Sequence, residues 1–119
     1  MQWKLTDDRP IWIQLSEQLA RGIISGVYPP GSRLPSVREL AAEAGVNPNT
    51  MQRALAQLEQ DGLAKADRTA GRLVTEDTAV LEKARRVEAA IKVEEYFQGM
   101  QQLGYTKPQA VELLKEEKL

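Results

Sequence analysis

The sequence predicts a mainly α protein with a small β-wing, namely an N-terminal winged helix-turn-helix followed by two C-terminal α-helices. Three observations lead there. Apolar residues recur at helical spacing along most of the 119 residues. The stretch "AGVNPNT" (44–50) separates two such patterns by only a three-to-four-residue turn. A basic, glycine-containing segment, "AKADRTAGRLV" (64–74), follows the second of them directly.

In "RPIWIQLSEQLARGIISG", Ile11, Leu15, Leu19 and Ile23 stand four apart, the stripe of an amphipathic helix, with Pro10 suited to its first turn and Gly26 to its end. "VYPPGSRLP" then forces a turn and a short extended piece at Arg33-Leu34. Ser36 and Glu39 have the spacing of a capping box, in which each side chain satisfies an orphan backbone N–H. Val37, Leu40, Ala41 and Ala44 supply the apolar side of this second helix.

Gly45 falls where that helix must stop, and Val46 is placed to cover its last turn. Asn47 is expected to cap the third helix, and Pro48 fits the first position, where an N–H would be unpaired anyway. At about 100° per residue Met51, Leu55 and Leu58 share one face, while Asn49, Gln52, Arg53 and Ala56 share the opposite one. An ordinary solvated helix face is rich in Glu and Lys. Amides and a guanidinium are the groups that pair in two-point fashion with purine edges in the major groove.

Two short strands are expected near Leu63–Ala66 and Arg72–Thr75, joined by a turn around Arg68–Gly71. Lys65, Arg68 and Arg72 make this hairpin basic. A basic hairpin alone says little, but one that follows a helix-turn-helix without a gap is a wing, with its tip at the sugar-phosphate backbone or minor groove.

Residues 78–104 form one long helical pattern with Val80, Ala84, Val87, Ile91, Val93, Phe97 and Met100 as apolar positions. A second helix, in 105–119, opens on a Thr106/Gln109 capping box. Two helices make no ligand cavity of their own, and these residues specify no small-molecule effector. Nor can such a pair bury its stripe on itself, so it is expected to pack on a second copy, a homodimer whose seam contains Val87, Ile91, Phe97 and Met100. The expected domains are residues 1–76, a winged helix, and 77–119, a two-helix dimerisation region.

Composition removes other classes. Without cysteine or histidine, thiolate chemistry, the usual near-neutral acid-base group and the commonest metal ligands are missing, and the carboxylates lie in helix-like segments that read as solvated faces. No enzyme, cofactor or metal site is expected. The first residues lack a signal-peptide pattern and no run approaches the roughly 18 apolar residues of a membrane span, so a cytoplasmic protein with no membrane contact is expected. The net charge is −1, and residues 1–75 carry nine Lys/Arg against eight Asp/Glu, so any nucleic-acid contact rests on local placement. Trp3 and Trp12 are read as packing residues.

Residues 10–77 resemble, almost without gaps, the DNA-binding domain of GntR-type bacterial transcription regulators. The most specific parts are "PPGSRLPSVRELA" and "VNPNTMQRAL…LEQDGL". The resemblance implies that Arg38 grips the DNA backbone and helps reach a base, that Asn47, Pro48, Asn49, Thr50 and Gln52 line the recognition end, and that Gly71 marks the wing tip. With Arg33, Ser36, Arg53, Arg68 and Arg72 these make up the expected DNA-facing set. One departure is Leu73, where the family commonly has an aromatic in a "GxFV"-like strand end. The short tail resembles the YtrA-type branch, whose two C-terminal helices form the dimer and whose genes often lie beside transporter genes. The expected function is therefore a sequence-specific transcriptional regulator, a repressor, that binds a pseudo-palindromic double-stranded operator as a homodimer. The alternative, a winged helix used only for protein contacts, would call for an acidic or apolar face where Asn49, Gln52 and Arg53 stand.

Overall fold

The short polar and glycine-proline segments stop each helix where the next has to turn, and the resulting elements follow the order of the chain. A computed structural model describes residues 1–116. It contains α1 (Ile11–Ile24), α2 (Val37–Ala44), α3 (Pro48–Gln60), β1 (Ala64–Asp67), β2 (Gly71–Val74), α4 (Thr78–Gln102) and α5 (Lys107–Glu116). The end of the second C-terminal helix expected from the sequence, residues 117–119, lies outside the described residues. Two compact units are present, Met1–Lys83 and Ala84–Leu119.

In the first unit, α1, α2 and α3 bury one continuous core. α3 packs against both α1 and α2, and Leu15, Leu19 and Ile23 of α1, Leu40 and Ala41 of α2 and Met51, Ala54, Leu55 and Leu58 of α3 are all almost fully buried. Leu34, Leu63, Val74 and Leu81 extend this core beneath the wing and into the start of α4. The helix ends follow the chemistry expected of them. Ser36 and Glu39 make a reciprocal capping box. Gly45 adopts a left-handed conformation (φ 70°), which only glycine enters at little cost, and the Val46 N–H returns to the Ala41 carbonyl at 3.0 Å. Asn47 caps α3 through its side-chain oxygen, which accepts from the Asn49 N–H at 2.7 Å, with Pro48 in the first turn.

β1 and β2 pair antiparallel, Ala64 opposite Val74 and Asp67 opposite Gly71. Each strand is shifted by one residue from its expected position. The Leu63 N–H is occupied by the Leu58 carbonyl at the end of α3, and Asp67 starts the turn itself, its carboxylate accepting from the N–H groups of Thr69 and Ala70 and from the Thr69 hydroxyl. The extended segment before α2 adds a third edge: Leu34 N–H donates to the Arg72 carbonyl, Val74 N–H to the Ser32 carbonyl, and Arg33 bridges to Leu73. The wing is thereby fixed to the entry of α2. Leu73, at the position of the family's aromatic, is half-buried in this ladder.

The first nine residues lie along α1 through two glutamines. Gln18 pairs with both backbone groups of Lys4, and Gln14 with both of Thr6 and with the Arg9 carbonyl, so an extended segment is bound by side chains in place of a strand. Gln14 is 2% exposed and every one of its polar atoms has a partner.

In the second unit, α4 and α5 are joined by a turn at Gly104 (φ 93°), and the Thr106/Gln109 capping box forms as expected. The Tyr96 hydroxyl donates to the Ala110 carbonyl at 2.7 Å, and the Lys107 ammonium lies over the Phe97 ring. Phe97 and Met100 are half-buried, whereas Val87, Ile91 and Val93 are exposed. The single apolar stripe expected for this helix is two. Val87 and Ile91 lie about 40° apart around the axis, while Phe97 and Met100 sit about 80° to 140° away from Val87, on the side that meets α5. Spacing i to i+6 between Ile91 and Phe97 changes face, which a residue-by-residue tally of apolar positions hides.

Candidate nucleic-acid interface

α3 buries Met51, Ala54, Leu55 and Leu58 and turns Asn49, Gln52, Arg53 and Ala56 outward, all four exposed. Thr50 is half-buried beside them, and Pro48 is exposed at the helix start. Packing against α1 and α2 decides which side of α3 is free, so the amide-rich face is the outer one. Asn47 is exposed too, but its side-chain oxygen is engaged in the cap, and what it can offer a ligand is its amide NH2. Ser36 likewise holds the first turn of α2 by accepting from the Glu39 N–H at 3.1 Å.

Arg33, Ser36, Arg38, Gly71 and Arg72 converge on a shallow cleft of about 330 Å³ between the entry of α2 and the wing. The exposed guanidinium groups of Arg33 and Arg38 beside an open groove form a surface suited to phosphate oxygens. Gly71 has φ 85°, and a Cβ there would stand 3.9 Å from Arg33 Nε, so its backbone conformation rather than lack of room favours glycine. Arg33 and Arg38 are exposed. Arg72 is not: its Nε donates to a Glu59 carboxylate oxygen at 2.6 Å, and its side chain is only 19% exposed. Arg68, at the turn, is exposed with Lys65.

Two features escape a reading of the sequence alone. Glu59, the penultimate residue of α3, is the wing's anchor. The only signal for it is an acidic residue thirteen positions before a basic one, which has no meaning until the hairpin folds back. Trp12 does more than pack, because the Arg53 guanidinium lies 4.2 Å over its ring centroid. The turn carboxylate of Asp67 is held below its ordinary value, chiefly by the Ala70 N–H and then by the Thr69 N–H and hydroxyl. Burial pushes the Tyr28 phenol up, with the Glu43 charge adding to it. Among the described residues no group of acidic side chains could hold a metal ion, and no helix is long and apolar enough to cross a membrane.

Comparison with known proteins agrees with this architecture. Residues 13–74 match the family described as "Bacterial regulatory proteins, gntR family". The chain is 30% identical over 115 residues to the uncharacterized HTH-type transcriptional regulator YhcF of Bacillus subtilis, covering 97% of this chain and 95% of that one. It is 38% identical over 68 residues to the HTH-type transcriptional repressor YtrA of the same organism, covering 57% of this chain and 52% of the relative. A GntR family transcriptional regulator from Listeria monocytogenes superposes with a TM-score of 0.82 at 33% identity, over 96% of this chain and all of the other. An outward amide-rich helix, a basic cleft and an adjoining wing, in a chain similar over nearly its whole length to such regulators, place this protein in the gntR family of bacterial regulatory proteins as a DNA-binding transcriptional regulator.

Proposed function

We propose that the protein is a repressor that binds a pseudo-palindromic operator as a homodimer. The observation that carries the reading is the outer face of α3, where Asn49 and Gln52 stand exposed without acidic neighbours. Their amides suit adenine edges, while Arg33 and Arg38 beside the wing suit the phosphates that set the helix in register. Asn47, Pro48, Thr50 and Gly71 complete the expected contact set by bringing backbone close to DNA. Domain roles follow the same division, with residues 1–76 for DNA and 77–119 for assembly.

Repression is inferred from the name of the YtrA relative. Dimerisation is supported by Val87 and Ile91, which share one face of α4 and remain exposed. Isologous pairing through a two-fold axis gives two recognition helices related by that axis, which is why a pseudo-palindrome is expected.

Selection of bound sites from a random duplex pool tests the proposal. Recovery of an inverted repeat whose half-sites are separated by a whole number of helical turns is the expected result. Recovery of no shared sequence, with equal affinity for all duplexes, would leave only non-specific binding.

A further inference from the structure

Arg53 occupies an edge of the free face of α3. Gln52 lies about 100° round the helix from it, and Asn49 one turn back. Its guanidinium is drawn toward α1, where it lies over the half-buried indole of Trp12 at 4.2 Å. A contact with a ring face does not use up the guanidinium N–H groups, which stay able to donate to an anion. It also directs the side chain toward α1, to one flank of the outer face.

A helix with its side chains is about 10–12 Å across and fills a major groove about 12 Å wide, so a group on its flank meets the groove wall, and the wall is phosphate. From this geometry we propose that Trp12 is a positioning residue which holds Arg53 as a phosphate clamp on the flank of the recognition helix that faces α1. Arg53 then fixes register and does not read sequence, and Trp12 lowers the entropy lost when a long, flexible side chain is ordered on DNA. The pair adds a backbone contact to those of the Arg33/Arg38 cleft. The inference rests on α3 entering the major groove.

The experiment measures affinity for one selected site and for a random-sequence duplex over a range of salt, with wild type, Arg53→Gln, Trp12→Ala and the double variant. Arg53→Gln is expected to weaken both duplexes by the same factor and to lower the salt slope by about one. Trp12→Ala is expected to weaken both about threefold to tenfold, and the double variant to bind no more weakly than Arg53→Gln alone. Losses that multiply independently would overturn the coupling, and a loss confined to the selected site would make Arg53 a base reader. Should Trp12→Ala fail to fold, Trp12→Leu, which keeps apolar bulk but has no ring face, replaces it in the same cycle. Trp3→Phe leaves Trp12 as the sole tryptophan, whose emission should change on adding duplex, and should not in an Arg53→Gln background. Wild type without salt-dependent duplex affinity would remove the groove reading itself, an outcome distinct from a wild type that binds normally while Arg53→Gln changes nothing.

Discussion

Arg72 Nε stands 2.6 Å from a Glu59 carboxylate oxygen, so the second wing strand is tied to the last full turn of the recognition helix. The pair is half-sheltered, which places it above an exposed surface ion pair in value and below a fully buried one. Glu59→Ala and Arg72→Ala should each destabilise the first unit by about 1 kcal/mol, and the double variant by little more than either single one. Urea unfolding of the three variants measures this, and additive losses would mean that the contact does not couple wing and helix.

The same pair divides the basic residues of the wing. Arg68 is exposed at the turn, whereas Arg72 already has an anionic partner. Arg68→Ala should therefore lower the salt slope of duplex binding by about one while leaving unfolding unchanged. Arg72→Ala should register mainly in stability. The opposite pattern would place Arg72, released from Glu59, on the phosphates.

Arg38 and Gln52 should separate in the way that backbone and base contacts separate. Arg38→Ala is expected to weaken all duplexes and reduce the salt slope by about one. Gln52→Ala should relax preference at one base pair by roughly 1 to 3 kcal/mol and leave affinity for random duplex nearly intact. Competition binding against a panel of single-base variants distinguishes them, and equal losses on every sequence for Gln52→Ala would contradict base reading.

The Asp67 carboxylate organises the wing turn most strongly when ionised, because the charged oxygen is a better acceptor for the Thr69 and Ala70 N–H groups than a neutral carboxyl. Its value is lowered by folding, so the stabilisation is fully present above the ordinary 3.8 and is lost as pH falls through the lower, folded value. Titration followed by NMR should give Asp67 a midpoint below 3.8, with the Thr69 and Ala70 amide shifts moving at the same pH. A midpoint at the ordinary value, or amides that do not follow it, would mean an open turn.

How much of this was legible beforehand depends on the range of the interaction. The capping boxes at Ser36/Glu39 and Thr106/Gln109, the left-handed Gly45 and the Asn47 cap are each decided within about four residues, and all formed as read. The free face of α3 was legible because helical periodicity alone separates Met51, Leu55 and Leu58 from Asn49 and Gln52. Contacts between segments distant in sequence were not. Glu59 with Arg72, Trp12 with Arg53, and the pairing of Gln14 and Gln18 with the first residues all depend on where the chain returns. The tail shows a third kind of difficulty: Leu81, the buried residue of α4, stands outside the apolar positions read from the sequence, and those positions are spread over two faces of the helix.

Gln14 gives a sharp test of the long-range kind. Leucine is similar in size, yet Gln14→Leu would strip the Thr6 N–H, Thr6 carbonyl and Arg9 carbonyl of their partner. With those groups near a fully buried side chain, a loss of about 1–3 kcal/mol is expected, together with faster hydrogen exchange in residues 1–9. Gln14→Glu should be at least as harmful, because the carboxylate cannot donate to either carbonyl. Unchanged exchange in the first residues would show that they are held by something other than the two glutamines.

Assembly is the prediction on which the operator's form depends. Val87 and Ile91 share one face of α4 and are each about half exposed, while Phe97 and Met100 are turned toward α5, where Lys107 covers the Phe97 ring. The expected seam thus begins at Val87 and Ile91, and Phe97 and Met100 serve it by holding α5 in place. Val87→Glu with Ile91→Glu should yield monomers by sedimentation with the first unit still folded. Phe97→Ala should instead loosen α5 and weaken the dimer without abolishing it. Because each half-site alone supplies only part of the contact surface, the monomeric variant should lose orders of magnitude in affinity for the full operator while its half-site affinity barely moves. A wild-type monomer at micromolar concentration that binds one half-site as tightly as the full repeat would sink the two-fold arrangement, and with it the expectation of a pseudo-palindrome.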